Sequence, residues 1–150
     1  MSDDYVVIVP RDPRHVPTRE VQERVTALLR QIAPQAASVT VEAFAQVRFF
    51  NCGQNFKRVE CPECSSEVTD WWRNRMDDDY RDGGFRLELY KTPCCGALVT
   101  LNDLIYDWPQ AFGSFTWTVM NPNIGELTQP EGAALAAAAG APLVVVRQRI

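Results

Sequence analysis

The segments Ser114-Phe115-Thr116-Trp117-Thr118-Val119-Met120, Thr128-Gln129-Pro130-Glu131 and Leu143-Val144-Val145-Val146-Arg147-Gln148-Arg149 decide the fold. In the first, Phe115, Trp117 and Val119 fall on one face of a pleat, as a strand requires. The second has capping-box form, with Pro130 near a helix start. The helix it opens is Ala-rich around Leu135 and is expected to stop at Gly140. Its small side chains should let it lie close on a sheet. The third segment is a closing strand.

The N-terminal part has the same layout. Tyr5 to Val9 is a wholly apolar, β-branched run that suits a central strand buried on both faces. A Pro/Arg loop follows, and Thr18 can cap a helix. Val21, Val25, Leu28, Leu29 and Ile32 lie at helical spacing, and Pro34 ends the run. Val39, Val41, Ala43, Ala45, Val47 and Phe49 then alternate with polar residues, which predicts a half-buried strand. The order strand, helix, strand, insert, strand, helix, strand predicts an α+β fold, the ferredoxin-like split βαβ. Residues 1–50 and 110–150 would form this domain, and 51–109 the insert.

Within the insert, Glu67 to Tyr80 reads as a helix, with Val68, Trp72, Met76 and Tyr80 on one stripe and Trp71 beside it. Phe85 to Tyr90 reads as a strand. Thr100 to Tyr106 reads as a short helix capped by Thr100 and Asp103.

The chain has 150 residues, 46% hydrophobic and 23% charged, which fits one globular domain and excludes disorder. Thirteen arginines against two lysines carry no functional weight. Met1 to Tyr5 has no basic stretch leading into a long apolar run, so no secretory leader is expected. The apolar runs Tyr5–Pro10 and Leu143–Val146 are far short of the ~20 residues that span a bilayer. No lipidation motif is visible. A cytoplasmic location follows as the expectation, and there thiols stay reduced.

The five cysteines do not make a closed disulfide set. Cys61-Pro62-Glu63-Cys64 is a C-x-x-C knuckle, and Cys94-Cys95-Gly96 follows it in sequence. Two tight turns of this kind can supply four thiolates to a tetrahedral Zn2+. Adjacent cysteines reach one ion only through a sharp turn, which Gly96 permits. The predicted ligands are Cys61, Cys64, Cys94 and Cys95. The rival set uses Cys52 in place of Cys94 or Cys95. An all-thiolate site has no open position, so its expected role is structural. Zinc is favoured over an iron–sulfur cluster because no cluster-binding cysteine run is present.

The strings Asn51-Cys52-Gly53-Gln54-Asn55-Phe56, Cys61-Pro62-x-Cys64, Trp71-Trp72, Met76-Asp77, Thr92-Pro93-Cys94-Cys95-Gly96 and Leu101-Asn102-Asp103-Leu104-x-Tyr106-Asp107-Trp108-Pro109 resemble an uncharacterised family of small bacterial proteins with a zinc-ribbon-like insert. The resemblance covers about residues 51 to 121 well and the flanks loosely. It implies zinc at Cys61, Cys64, Cys94 and Cys95 and brings no activity. The family's first knuckle usually continues with Gly, where this chain has Ser65.

Charge weighs against nucleic acid as a partner. Residues 51–109 hold seven Lys/Arg against eleven Asp/Glu, which accounts for the whole net charge of −4. Phosphate binding needs cations. Trp71, Trp72, Asp77, Asp78 and Asp79 form a candidate protein-binding surface, since Trp and Tyr dominate interface hot spots. The bland reading packs the tryptophans inside and leaves the aspartates solvated. An enzyme would need Asp103, Asp107 and His15 to converge on a pocket between insert and sheet. No nucleophile with an adjacent base and no P-loop or Rossmann fingerprint is visible. Arg11, Arg14 and His15 are weak candidates for an anion site. The favoured expectation is a non-catalytic, zinc-stabilised module that binds a protein partner.

Overall fold

The structure is a computed structural model that describes residues 3–150; Met1 and Ser2, the start of the segment read for a leader, lie outside the described residues. Among the described residues it is a mixed α+β fold with antiparallel sheets and three α-helices. The main sheet holds β1 (Asp4–Pro10), β2 (Ser38–Phe50), β9 (Ala111–Met120) and β10 (Leu143–Arg149), in the order β10-β1-β9-β2. Every neighbouring pair is antiparallel. Central position explains β1: Val6 to Pro10 are all buried because partners flank both edges and both faces are covered.

On one face, Val6, Ile8, Phe115, Trp117 and Val119 meet α1 (Arg19–Ile32) and α3 (Gln129–Ala139). Thr18 caps α1, its hydroxyl accepting from the Val21 amide at 3.4 Å. Val25 and Leu29 carry the buried stripe, and the helix stops ahead of Pro34. The capping box of α3 is complete: the Thr128 amide donates to Glu131 and the Glu131 amide to Thr128 Oγ1. Gly140 ends α3 at φ 66°, as a left-handed cap demands.

The expected alternation of β2 is broken. β2 is an edge strand, and its ladder with β9 slips between Ala43 (opposite Phe115) and Arg48 (opposite Gly113). Phe44 to Val47 therefore face Ser114 alone. The mismatch is an odd number of residues, so it turns the odd-numbered side chains from one face to the other. Val39 packs toward the helices, Val41 and Ala43 are exposed, and Val47 and Phe49 face the insert.

The insert covers part of the sheet's other face. Its segments are β3 (Arg58–Glu60), α2 (Thr69–Asp79), β4 (Tyr80–Arg81), β5 (Gly84–Phe85), β6 (Tyr90–Lys91), β7 (Leu98–Val99) and β8 (Ile105–Asp107). β3 pairs with β8, β4 with β5, and β6 with β7. Val59, Cys61, Val68, Trp72, Val99, Leu101 and Leu104 share one core with Val47 and Phe112 of the main sheet. Residues 51–109 are thus separate in sequence but not in packing. At Gly53 the insert touches the last strand so closely that a Cβ would lie 2.1 Å from the Arg149 carbonyl oxygen.

Two local expectations fail. Phe85–Tyr90 is not a continuous strand: only its ends pair, Phe85 with Tyr80 and Tyr90 with Val99, and residues 86–88 wrap around the Asp79 carboxylate. Thr100–Tyr106 is not a helix beyond a single 3-10 turn, Leu101–Asp103. Its capping box forms as expected, but Ile105 to Asp107 are drawn off to pair with β3.

Candidate metal centre

Each pair of cysteines sits in a tight loop closed by a short antiparallel pairing. Glu60 bridges Glu67 around the first loop. Inside it the Cys61 amide donates to the Ser66 carbonyl at 2.9 Å and the Ser65 amide to the Cys61 carbonyl at 3.0 Å. Ser65 takes a left-handed φ of 63°. The second loop is closed by Lys91 opposite Leu98 at the end of the β6–β7 hairpin. Gly96, at φ 73°, supplies the sharp turn that adjacent Cys94 and Cys95 require.

The two loops bring four sulfurs together. Cys61, Cys64, Cys94 and Cys95 each offer an Sγ, all within 4.8 Å of one another. Cys61 and Cys95 are 3.8 Å apart. A tetrahedron with ~2.3 Å metal–sulfur bonds has an edge of about 3.8 Å, so the spacing suits a single ion. All five cysteines are free thiols. Cys61 is buried against the insert core, whereas Cys64, Cys94 and Cys95 are exposed at the loop tips.

The surroundings favour thiolates at the first loop. For Cys64, the hydroxyl and amide of Ser66 bring the thiol down to about 6. Burial pushes the Cys61 thiol up, but the Cys64 and Glu63 amides together with the Cys94 and Cys95 thiols outweigh this and leave it lowered. Cys94 is pushed up to about 11, chiefly by desolvation and then by the neighbouring Cys64 sulfur. A divalent cation among the four would supply the missing positive charge. With four sulfur donors no coordination position is left for a substrate.

Cys52 is not part of the cluster. It is fully buried beside Val7, Val9, Ala111 and Val146, and its thiol donates to Gln110 Oε1 at 3.4 Å. Burial raises its pKa. The rival ligand set containing Cys52 has no support in this geometry.

The candidate interface divides. Trp71 is half-buried, and Asp77 and Asp78 are exposed. Trp72 and Asp79, expected on that surface, are buried instead, and neither is available to a partner. Trp72 is 8% exposed and stacks on Phe56 at 5.5 Å, with Phe49 and Tyr106 at its edges. Asp79 has no exposed surface; its carboxylate accepts from the amides of Arg86, Leu87 and Glu88 and from the Tyr90 hydroxyl. Both face inward because the helix stripe turns toward the core once per turn. Sequence reasoning missed this anchor, since Asp79 looks no different from Asp77 and Asp78.

The residues weighed for catalysis do not converge. The Asp103 side chain is held by the Thr100 amide and hydroxyl. Asp107 pairs with Arg58 at 3.6 Å and borders a cleft of about 430 Å³ with Trp108, Leu127 and Arg147. His15 borders a different cleft, of about 580 Å³, with Arg11, Asn102 and Pro142. Arg14 is already committed to the Arg86 carbonyl. Among the described residues, no helix is long and apolar enough to cross a membrane. Comparison of the chain with family models, curated proteins and solved structures finds no match.

Proposed function

We propose that the protein is a non-catalytic binding module: a ferredoxin-like scaffold whose zinc-ribbon-like insert is stapled by a structural Zn2+ and docks a protein partner in the cytoplasm. The observation that carries this reading is the cluster of four sulfurs within 4.8 Å. Soft thiolates in tetrahedral spacing suit zinc, and a filled first shell suits a structural role. The strand order β10-β1-β9-β2 with α1 and α3 on one face supports the split βαβ assignment. The insert's strands are only two or three residues long, and three of the four cysteines sit at exposed loop tips, where a metal staple would act. Trp71, Asp77 and Asp78 remain the docking candidates, and the insert's acidic balance favours a basic partner surface.

Metal analysis of the purified protein tests the first half. One zinc per chain is expected, retained by Cys52→Ala and lost by Cys64→Ser. Chelation should speed hydrogen exchange across residues 58–107 while β1, β9 and β10 stay protected. Protein purified without stoichiometric metal, or an insert indifferent to chelator, would overturn the assignment. For the second half, a partner captured from native lysate should be released by Asp78→Arg and Trp71→Ala. Capture unaffected by both substitutions would remove this surface.

A further inference from the structure

The two cysteine loops are the same loop built twice. Align Cys61-Pro62-Glu63-Cys64-Ser65-Ser66 with Thr92-Pro93-Cys94-Cys95-Gly96-Ala97. The first residue's amide donates to the sixth residue's carbonyl at 2.9 Å in both loops. The fifth residue's amide donates to the first residue's carbonyl, at 3.0 Å and 3.1 Å. The fifth residue is left-handed in both, at φ 63° and 73°. The flanking residues pair across each loop, Glu60 with Glu67 and Lys91 with Leu98. The first position is buried in both: Cys61 is 0% exposed and Thr92 3%.

In this alignment Cys95 corresponds to Cys64, but Cys61 corresponds to Thr92. The second loop has no thiol at its first position. Its other sulfur comes from Cys94, where the first loop has Glu63. Thr92 is not idle there. Its Oγ1 accepts from the Ala97 amide at 3.1 Å and lies 3.5 Å from Cys95 Sγ. The second distance is close to the ~3.8 Å edge of a metal–thiolate tetrahedron.

We propose that Thr92 occupies a vacated ligand position: its hydroxyl holds the Cys95 thiolate in place, and Cys94 supplies the sulfur that the position no longer gives. The inference rests on the metal reading above. Thr92 is a positioning residue, bound to the ion only through Cys95. A hydroxyl donating to a ligating sulfur fixes its direction and tempers its charge, as second-layer hydrogen bonds at metal sites do. Placing the fourth sulfur on the exposed third position, rather than on the buried first one, also leaves three of the four ligands at the surface.

Titration with Co2+, whose thiolate charge-transfer bands count sulfur ligands, and competition for Zn2+ against a chromophoric chelator test this on the whole chain. Cys94→Ser should weaken zinc at least ~100-fold and reduce the cobalt thiolate band. The double variant Thr92→Cys/Cys94→Ser should restore the four-thiolate band and return zinc affinity to within ~10-fold of wild type. Cys is smaller than Thr, so the buried position accepts it. With all four cysteines kept, Thr92→Val should bind zinc ~10–100-fold more weakly, and Thr92→Ser should recover it. A double variant as weak as Cys94→Ser overturns the alignment of positions. Thr92→Val binding as wild type does overturns the role of the hydroxyl. Wild-type protein that binds neither metal would instead remove the metal reading itself, a separately recognisable result.

Discussion

Asp79→Asn should be the most damaging single-atom change in the insert. The Asp79 carboxylate accepts three backbone amides and one phenol: Oδ2 takes Arg86 at 3.0 Å and Leu87 at 2.8 Å, and Oδ1 takes Glu88 at 3.0 Å and Tyr90 at 2.8 Å. An Asn has one acceptor oxygen. Turned toward Arg86 and Leu87, its NH2 faces two amide donors; turned toward Glu88 and Tyr90, it lets the Tyr90 hydroxyl rotate to accept but still leaves the Glu88 amide without a partner. Each buried, unsatisfied donor costs about 1–3 kcal/mol, and the two surviving bonds lose their charge assistance. In the better orientation the sum is about 3 kcal/mol, a large part of the ~5–15 kcal/mol that holds a domain together. Residues 86–88 lead directly into β6 and the Thr92 loop, so zinc affinity should fall as well. Urea unfolding of zinc-saturated protein, followed by Trp fluorescence, measures the first effect, and chelator competition the second. Asp77→Asn, on an exposed side chain, should stay within about 0.5 kcal/mol of wild type. Asp78→Asn loses only its 2.8 Å pair with Arg75, worth less than about 1 kcal/mol at a site this exposed. A loss below about 1 kcal/mol for Asp79→Asn, no larger than at Asp77 or Asp78, would refute the reasoning from buried donors.

Ser65→Gly should stabilise the protein by about 0.5–1 kcal/mol, because Ser65 holds φ 63° with a side chain that disfavours it. Gly96→Ala should cost about 1 kcal/mol through the same strain, since its Cβ would meet nothing nearer than the Lys91 side chain at 3.9 Å. Urea midpoints read both, and an unchanged midpoint for Ser65→Gly would contradict the left-handed turn. Zinc affinity should fall with falling pH, because all four ligands bind as thiolates. With Cys64 at about 6 and Cys94 at about 11, the Cys94 proton must leave at neutral pH. Below about 6 Cys64 must also ionise, so the fall steepens by about tenfold per pH unit. Chelator competition on either side of that pH checks it, and a slope that does not steepen would contradict the Ser66 effect on Cys64.

How much of this was legible depended on the range over which each feature is decided. Thr18, the Thr128–Glu131 box and Gly140 work through neighbours three or four residues away, and the structure places all of them as expected. The burial of β1 follows from composition alone. The β2 slip does not, because register belongs to a pair of strands: nothing in Phe44-Ala45-Gln46-Val47 says that four residues will face Ser114. The Thr100–Asp103 box was readable, but the length of its helix was not, since competition from β3 ends it. The cysteine set was legible because its spacing encodes a turn. The rival placement of Cys52 could be settled only by the pairing with Gln110.

The charge of the insert shows what a count of residues leaves out. All of the net −4 falls on residues 51–109, which suggests an acidic face. Burial redistributes it. Asp79 lies inside, Asp103 closes a turn, and Asp107 is paired with Arg58. On α2, Asp70, Asp77 and Asp78 are left to solvent, and Asp70 and Asp78 already have Arg73 and Arg75 nearby. Glu63 and Glu67, around the first cysteine loop, are exposed as well, so the acidic surface open to a partner is narrower than the sequence implies and is divided between the outer side of α2 and that loop. Trp71 contributes only its uncovered part to that surface. Four thiolates around Zn2+ would add a second, separate centre of charge, −2, at the exposed loop tips. A partner reading both would need basic groups spaced to span helix and knuckle. A partner reading only the helix would be insensitive to chelation, so adding chelator to a formed complex distinguishes the two.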